Sequence, residues 1–116
     1  MASIMIDSYA FGKIVIDGKE YSKDVIIFPD RVKANWWRKE GHELHVEDLE
    51  DVLREEPVLM VVGTGKFGLM QVLPDTEQAI KERNIELIVE KTAKACKIYN
   101  KLSRDKKVVA ALHLTC

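Results

Sequence analysis

Val58-Leu59-Met60-Val61-Val62-Gly63-Thr64-Gly65-Lys66-Phe67-Gly68 is the stretch on which the fold turns. Val58 to Val62 is an unbroken apolar run without alternation, the pattern of a strand buried on both faces. A strand of that kind needs layers above and below it, so helices are expected on both sides. Just upstream, Val46, Leu49, Val52 and Leu53 recur at helical spacing. Glu47, Asp48, Glu50 and Asp51 lie in the first turns, where the helix dipole favours acids, and Pro57 ends the helix. Downstream, Pro74-Asp75-Thr76 opens a second helix to about Arg83, with Asp75 and Gln78 spaced as a capping pair. Ile85 to Val89 reads as another buried strand. Thr92 is expected to cap a third helix, with Ala95, Ile98, Tyr99 and Leu102 inward. Val108 to Leu112 reads as a last strand, continuing through Leu114. The order β-α-β-α-β gives parallel neighbours covered by helices.

Phe11 to Trp37 has a different texture: short β-type runs at Gly12 to Ile16, Lys19 to Tyr21, Asp24 to Phe28 and Val32 to Trp37, broken by Asp17-Gly18 and Pro29-Asp30. Asp-Gly accepts the positive φ angles of a tight hairpin, so this third reads as an antiparallel β meander. The expected whole is one α/β domain over residues 1–116, with a mixed central sheet and three packed helices. Its size suits a single hydrophobic core.

Composition excludes several classes. A formal charge of −1 and a pI near 6.3 supply no general field for polyanions. Cys96 and Cys116 form no disulfide framework and no signal-peptide pattern is visible, so a cytoplasmic protein with reduced thiols is expected. The apolar run at Val58 has five residues, against roughly 20 for a membrane span; no membrane partner is expected.

The loop Gly63 to Gly68 matches G-x-G-x-x-G after a strand, and Glu90 ends the next strand where a dinucleotide fold places its ribose acid. That chemistry needs a long helix starting within the glycines. Pro74 interrupts too soon, and a second nucleotide-binding half is lacking. No nucleotide cofactor is expected; Gly63, Thr64 and Gly65 form a turn whose N–H groups suit a small anion, with Lys66 beside it.

Two further segments concentrate chemistry. Trp36-Trp37-Arg38-Lys39-Glu40-Gly41-His42 gathers the side chains that most often anchor interfaces. Strand alternation sends one tryptophan to the core and the other outward, and Arg38 suits a carboxylate or phosphate. His113-Leu114-Thr115-Cys116 offers His113 as a base or ligand, Thr115 to orient it, and the Cys116 thiol as nucleophile. Alternatively it is a packed terminal strand. His42 joins these at no zinc-motif spacing, and no metal site is expected. Charge is segregated: residues 43–56 carry seven acids against Arg54, and residues 91–107 seven bases against Asp105. These read as solvated faces, or as complementary faces joining two copies; nucleic-acid binding ranks last, because no aromatic is interleaved with the basic helix.

Phe11-Gly12, Gly18 with Tyr21 and Asp24, the Trp-Arg segment through Gly41-His42, Val61-Val62-Gly63-Thr64-Gly65, Ala95 with Tyr99-Asn100, and the ending His113-Leu114-Thr115-Cys116 together resemble one family along nearly the whole chain. It is a family of unknown function that includes the adipogenesis-associated protein of animals, a mitochondrial complex I assembly factor and many bacterial and archaeal proteins solved by structural genomics. The resemblance implies a three-layer domain with a mixed central sheet and an added β hairpin, and links to assembly without an accepted reaction. The complex I assembly members lack the His-x-Thr-Cys ending, so a catalytic Cys116 is not implied for the shared role.

Two functions are therefore expected to compete. One is a binding or assembly module without catalysis of its own, working through Trp37, Arg38 and the Gly63 to Gly65 loop on a protein partner or a second copy. The other is a small-ligand protein or enzyme with an anion pocket at Arg38 and Gly63 to Gly65 and a His113/Cys116 site; Gly41, His42 and Thr115 are expected at the ligand or partner contact in either case.

Overall fold

The structure, a computed structural model, describes residues 3–116. Its centre is a mixed sheet of five strands. β7 (Leu59–Thr64) and β10 (Val108–His113) lie in the middle, every residue of both buried. β9 (Glu86–Glu90) runs parallel to β7, and β7 parallel to β10. β4 (Val25–Ile27) is antiparallel to β10, and β5 (Val32–Lys33) antiparallel to β4. The parallel crossovers are α2 (Pro74–Glu82) and α3 (Thr92–Leu102), as the β-α-β-α-β reading requires.

Alternation along the central strands divides the interior into two cores. Leu59, Val61, Ala110 and Leu112 face Ala95, Cys96 and Tyr99 of α3, together with Ile14 and Ile16. Met60, Val62, Val109 and Ala111 face Leu49, Val52, Leu53 and Ile80. Those four residues come from a 3₁₀ turn (Val46–Leu49), α1 (Glu50–Glu55) and α2. Each buried aliphatic in this sandwich contributes about 1.5–3 kcal/mol, which is why the run at Val58 dominates the fold.

The N-terminal third is only partly a meander. β1 (Ile6–Ala10), β2 (Lys13–Ile16) and β3 (Lys19–Tyr21) form a separate antiparallel sheet. β4 and β5 instead complete the central one. Asp17 and Gly18 both take positive φ, 46° and 80°, as a hairpin turn of the expected kind demands. β1 escaped the sequence reading because its outer face is polar. It is held by Asn100, whose amide takes the Ile6 N–H at 2.9 Å and gives to the Ile6 carbonyl at 2.8 Å, acting as a neighbouring strand would.

Several terminal assignments need correction. The second helix begins at Pro74 after Leu73, with no side-chain cap from Asp75. Thr92 is the first residue of α3, not its cap. β10 stops at His113, because the tail beyond it bonds to loops and not to a strand. A short parallel pair, β6 (Glu43–Leu44) with β8 (Gln71–Val72), was also unanticipated.

Candidate functional site

β7 and β10 end together, with His113 opposite Thr64. On the other flank Leu112 pairs with Val25 of β4, which brings Asp24 beside His113. Arg38, on the segment leaving β5, reaches into the same space. Its Nη1 donates to Asp24 Oδ2 at 2.7 Å, and its Nη2 donates to the Gly41 carbonyl at 2.9 Å. His113 Nδ1 lies 2.8 Å from Asp24 Oδ2 and 3.0 Å from Arg38 Nη2. The other carboxylate oxygen, Oδ1, accepts the Leu114 N–H at 2.8 Å. The Arg38 guanidinium also stacks over Trp36, 4.8 Å from the ring centre.

The side chains of Arg38, His113 and Asp24 are 4%, 7% and 15% exposed, so this is a buried charge cluster and not a surface ion pair. We assign the Nδ1 proton of His113 to Asp24, because a hydrogen bond to a carboxylate is about twice as strong as one between neutral groups. His113 Nε2, the other ring nitrogen, is buried without a partner. The His42 ring stands edge-on to it, the centroids 6.1 Å apart.

Burial alone would raise the Asp24 carboxyl. Hydrogen bonds from His113, the Leu114 N–H and Arg38, with the charge of His113, more than offset this and hold it below the ordinary 3.8. A carboxylate depressed in the folded state contributes stability that is fully present above its unfolded value and is lost as pH falls through the folded one. The fold should therefore lose stability below about pH 4, and Asp24→Asn should flatten that part of a urea-denaturation pH series.

The glycine loop does not point outward. Gly65 N–H donates to Thr92 Oγ1 at 2.8 Å, and the same hydroxyl donates to the His113 carbonyl at 2.6 Å. Lys66 N–H donates to the Thr115 carbonyl at 2.7 Å, and Leu69 N–H to the Cys116 carbonyl at 2.9 Å. Of the N–H groups expected to cradle an anion, that of Gly65 is taken by Thr92, and the neighbouring Lys66 and Leu69 N–H groups hold the chain's own tail. From the other side, Gly12 N–H and the Tyr9 hydroxyl both donate to the Leu114 carbonyl at 2.9 Å. The contact leaves no room: a Cβ on Gly65, whose φ is +103°, would lie 2.3 Å from Cys116 C and 2.9 Å from His113 Cδ2. No helix starts within the glycines, and Glu90 pairs with Lys94 at 3.5 Å.

Trp36 and Trp37 divide as expected, 4% and 78% exposed. Trp37 and Arg38, however, do not share a surface. Arg38 turns inward, where Asp24 and Gly41 take its two terminal nitrogens and Trp36 its face, and only its Nε is left without a partner. Trp37 instead flanks a cleft of about 480 Å³ that is also lined by Lys23, Asp24, Asn35, Trp36 and Thr115. Among the described residues no three or more His, Cys, Asp or Glu side chains come together as a metal site. Burial pushes the Cys96 thiol up to about 12, whereas Cys116 is half-buried. Iodoacetamide at neutral pH should therefore label Cys116 and spare Cys96 until the chain is unfolded, as peptide mass mapping would reveal.

Asp24 is the residue that sequence reasoning missed as part of the site. The available signals were its place among the residues that carry the family resemblance and its position as a lone acid heading the apolar run Val25 to Phe28. Nothing local links it to His113, 89 residues away.

Residues 6–113 match the family described as Protein of unknown function (DUF498/DUF598). Among solved structures, a conserved hypothetical protein from Pyrococcus horikoshii is 31% identical, with a TM-score of 0.83 over 96% of this chain and 98% of that one. The protein named MT938 is 29% identical, with a TM-score of 0.80 over 98% and 100%. A Bartonella henselae protein described as an outer membrane protein is 22% identical, with a TM-score of 0.84 over 99% and 98%; at that identity the likeness concerns the fold alone. No helix among the described residues is long and apolar enough to cross a membrane.

Proposed function

We propose that this chain, which belongs to the family described as Protein of unknown function (DUF498/DUF598), is a binding or assembly module without catalysis of its own. Its partner is a protein, and the contact is the cleft beside Trp37. One contrast carries this reading. The groups able to do chemistry are turned inward and engage one another: Arg38 with Asp24, and the glycine-loop N–H groups with the tail. An indole that is 78% exposed stands in the open beside a cleft. Tryptophan left in water at a cleft mouth is the side chain most often found as an interface anchor.

The test places a photo-crosslinking amino acid at Asn35, on the cleft wall, in cells. Discrete crosslinked protein species are expected, and Trp37→Ala should remove them. The same substitution should change stability by less than about 0.5 kcal/mol, as is usual for an exposed position. Crosslinks that persist without the indole, or a lack of any, defeat the reading.

A second reading is favoured by the unpartnered Nε2 of His113 with Asp24 on its Nδ1. A carboxylate on one ring nitrogen with the other left unpartnered is the arrangement of an oriented general base; for it to serve the Cys116 thiol, with which Nε2 makes no hydrogen bond here, the tail has to shift. If His113 works on Cys116, His113→Gln, folded by circular dichroism, alkylates at Cys116 at least about tenfold more slowly. An unchanged rate removes this alternative.

A further inference from the structure

The charges of the two helical segments have different fates in the folded chain. Three of the seven acids of residues 43–56 are matched by bases from other parts of the fold: Glu47 by Lys39 at 2.8 Å, Asp51 by Lys33 at 2.7 Å, and Glu55 by Arg31 at 3.5 Å and Lys107 at 3.6 Å. On α3 only Lys94 has an acid within reach, Glu90. Lys97, Lys101 and Arg104 are exposed and meet no carboxylate among the described residues. At 100° per residue, Lys94, Lys97 and Lys101 project from one face of α3, and Arg104 follows in the turn just after its last residue. A chain with a formal charge of −1 thus presents one uncompensated cationic stripe.

Tyr99 of the basic helix is buried, and the exposed aromatics it lacks are supplied by the fold. Phe67 in the glycine loop is 60% exposed and Phe11 in the β1–β2 turn 48%. Their rings lie 6.2 Å apart and tilted at 47°. They stand at the head of α3: Lys91 lies against Gly68, next to Phe67, and the first helical N–H, that of Thr92, donates to the Gly65 carbonyl. From this head a shallow groove of about 220 Å³ lies between β1 and α3, with Ser8, Ala93, Lys97 and Asn100 on its walls. Asp7, the acid in that groove, already accepts the Gly18 N–H at 2.7 Å.

We propose that this surface binds single-stranded nucleic acid, with bases stacked on Phe67 and Phe11 and the phosphate backbone following the stripe along α3. Exposed rings beside a cationic track are the two components of sequence-tolerant single-strand binding. Lysines about one helical turn, or ~5.4 Å, apart suit successive phosphates of an extended strand. Duplex is disfavoured, because rings standing proud of the surface find no open base faces there.

The experiment is fluorescence anisotropy of the full chain with a labelled oligothymidylate. Four phosphate contacts on a single strand predict a log–log salt slope of about −3, or roughly 50-fold weaker binding at 200 mM than at 50 mM salt. Phe67→Ala should weaken binding about tenfold through lost stacking. Lys97→Glu with Lys101→Glu should abolish it, while Lys81→Glu on α2, across the sheet, leaves it within about twofold. All four positions are exposed, so the fold survives, which melting curves verify. Absence of binding at 50 mM salt overturns the proposal. So does binding that Phe67→Ala leaves unchanged, or that heparin matches, since either reports attraction to charge alone. Phe67-dependent binding to phosphatidylserine vesicles, with none to the oligonucleotide, assigns the surface to a membrane and also overturns it.

Discussion

Replacing Asp24 with alanine is expected to lower the stability of the fold by about 3–5 kcal/mol, the range for removing one partner of a buried ion pair. Asp24 is the only carboxylate on Arg38 among the described residues, and it also holds His113 and the Leu114 N–H. Without it a guanidinium stays buried, with the Gly41 carbonyl and the His113 ring as its polar neighbours. For a domain of this size the loss corresponds to roughly 10–20 °C in Tm. Differential scanning calorimetry of Asp24→Ala measures it. The cluster also predicts coupling: Arg38→Met should be much less harmful in the Asp24→Ala background than in the wild type, because the unpaired charge is then gone. Additive effects would mean that the three side chains do not act as one unit.

Gly65→Ala should be nearly as damaging. At a φ of +103° any side chain is strained, and here the new methyl would sit 2.3 Å from the Cys116 carbonyl carbon. The neighbour is backbone, so the tail must leave. Strain of about 1–3 kcal/mol adds to the loss of the Lys66 and Leu69 hydrogen bonds to the tail, at about 1 kcal/mol each. A total of roughly 3–5 kcal/mol follows. Amide exchange localises the effect: Lys66 and Leu69 should lose protection, while Val61 in β7 keeps its protection relative to the new global stability. Protection retained at Lys66 would show that the tail accommodates the methyl and refute the account.

The candidate site was legible in the sequence only in its parts. His113 and the Gly63 to Gly65 loop stand out because a histidine after an apolar strand and a glycine run after another are unusual locally. Their roles were not legible. The loop N–H groups had an anion as their natural expectation, and the fold supplied the Thr92 hydroxyl to Gly65 and the tail carbonyls to Lys66 and Leu69 in its place. Arg38 had an external carboxylate as its expected partner and found Asp24. The pair Phe11 and Phe67 was not legible for the same reason: they are 56 residues apart in sequence, and their rings come within 6.2 Å only in the folded chain.

What the sequence determined by itself is the layered α/β domain: the buried run at Val58, the helical periods around it and the Asp17-Gly18 hairpin. These follow from burial and backbone sterics, which act over a few residues and leave their period in the order of the side chains. What only the tertiary structure decided is which polar groups meet. A buried charge or N–H must be satisfied by something, but pairing energy depends on distance in space and not on spacing along the chain. Asp24 therefore belonged to Arg38 and His113 only once β4 had been laid against β10.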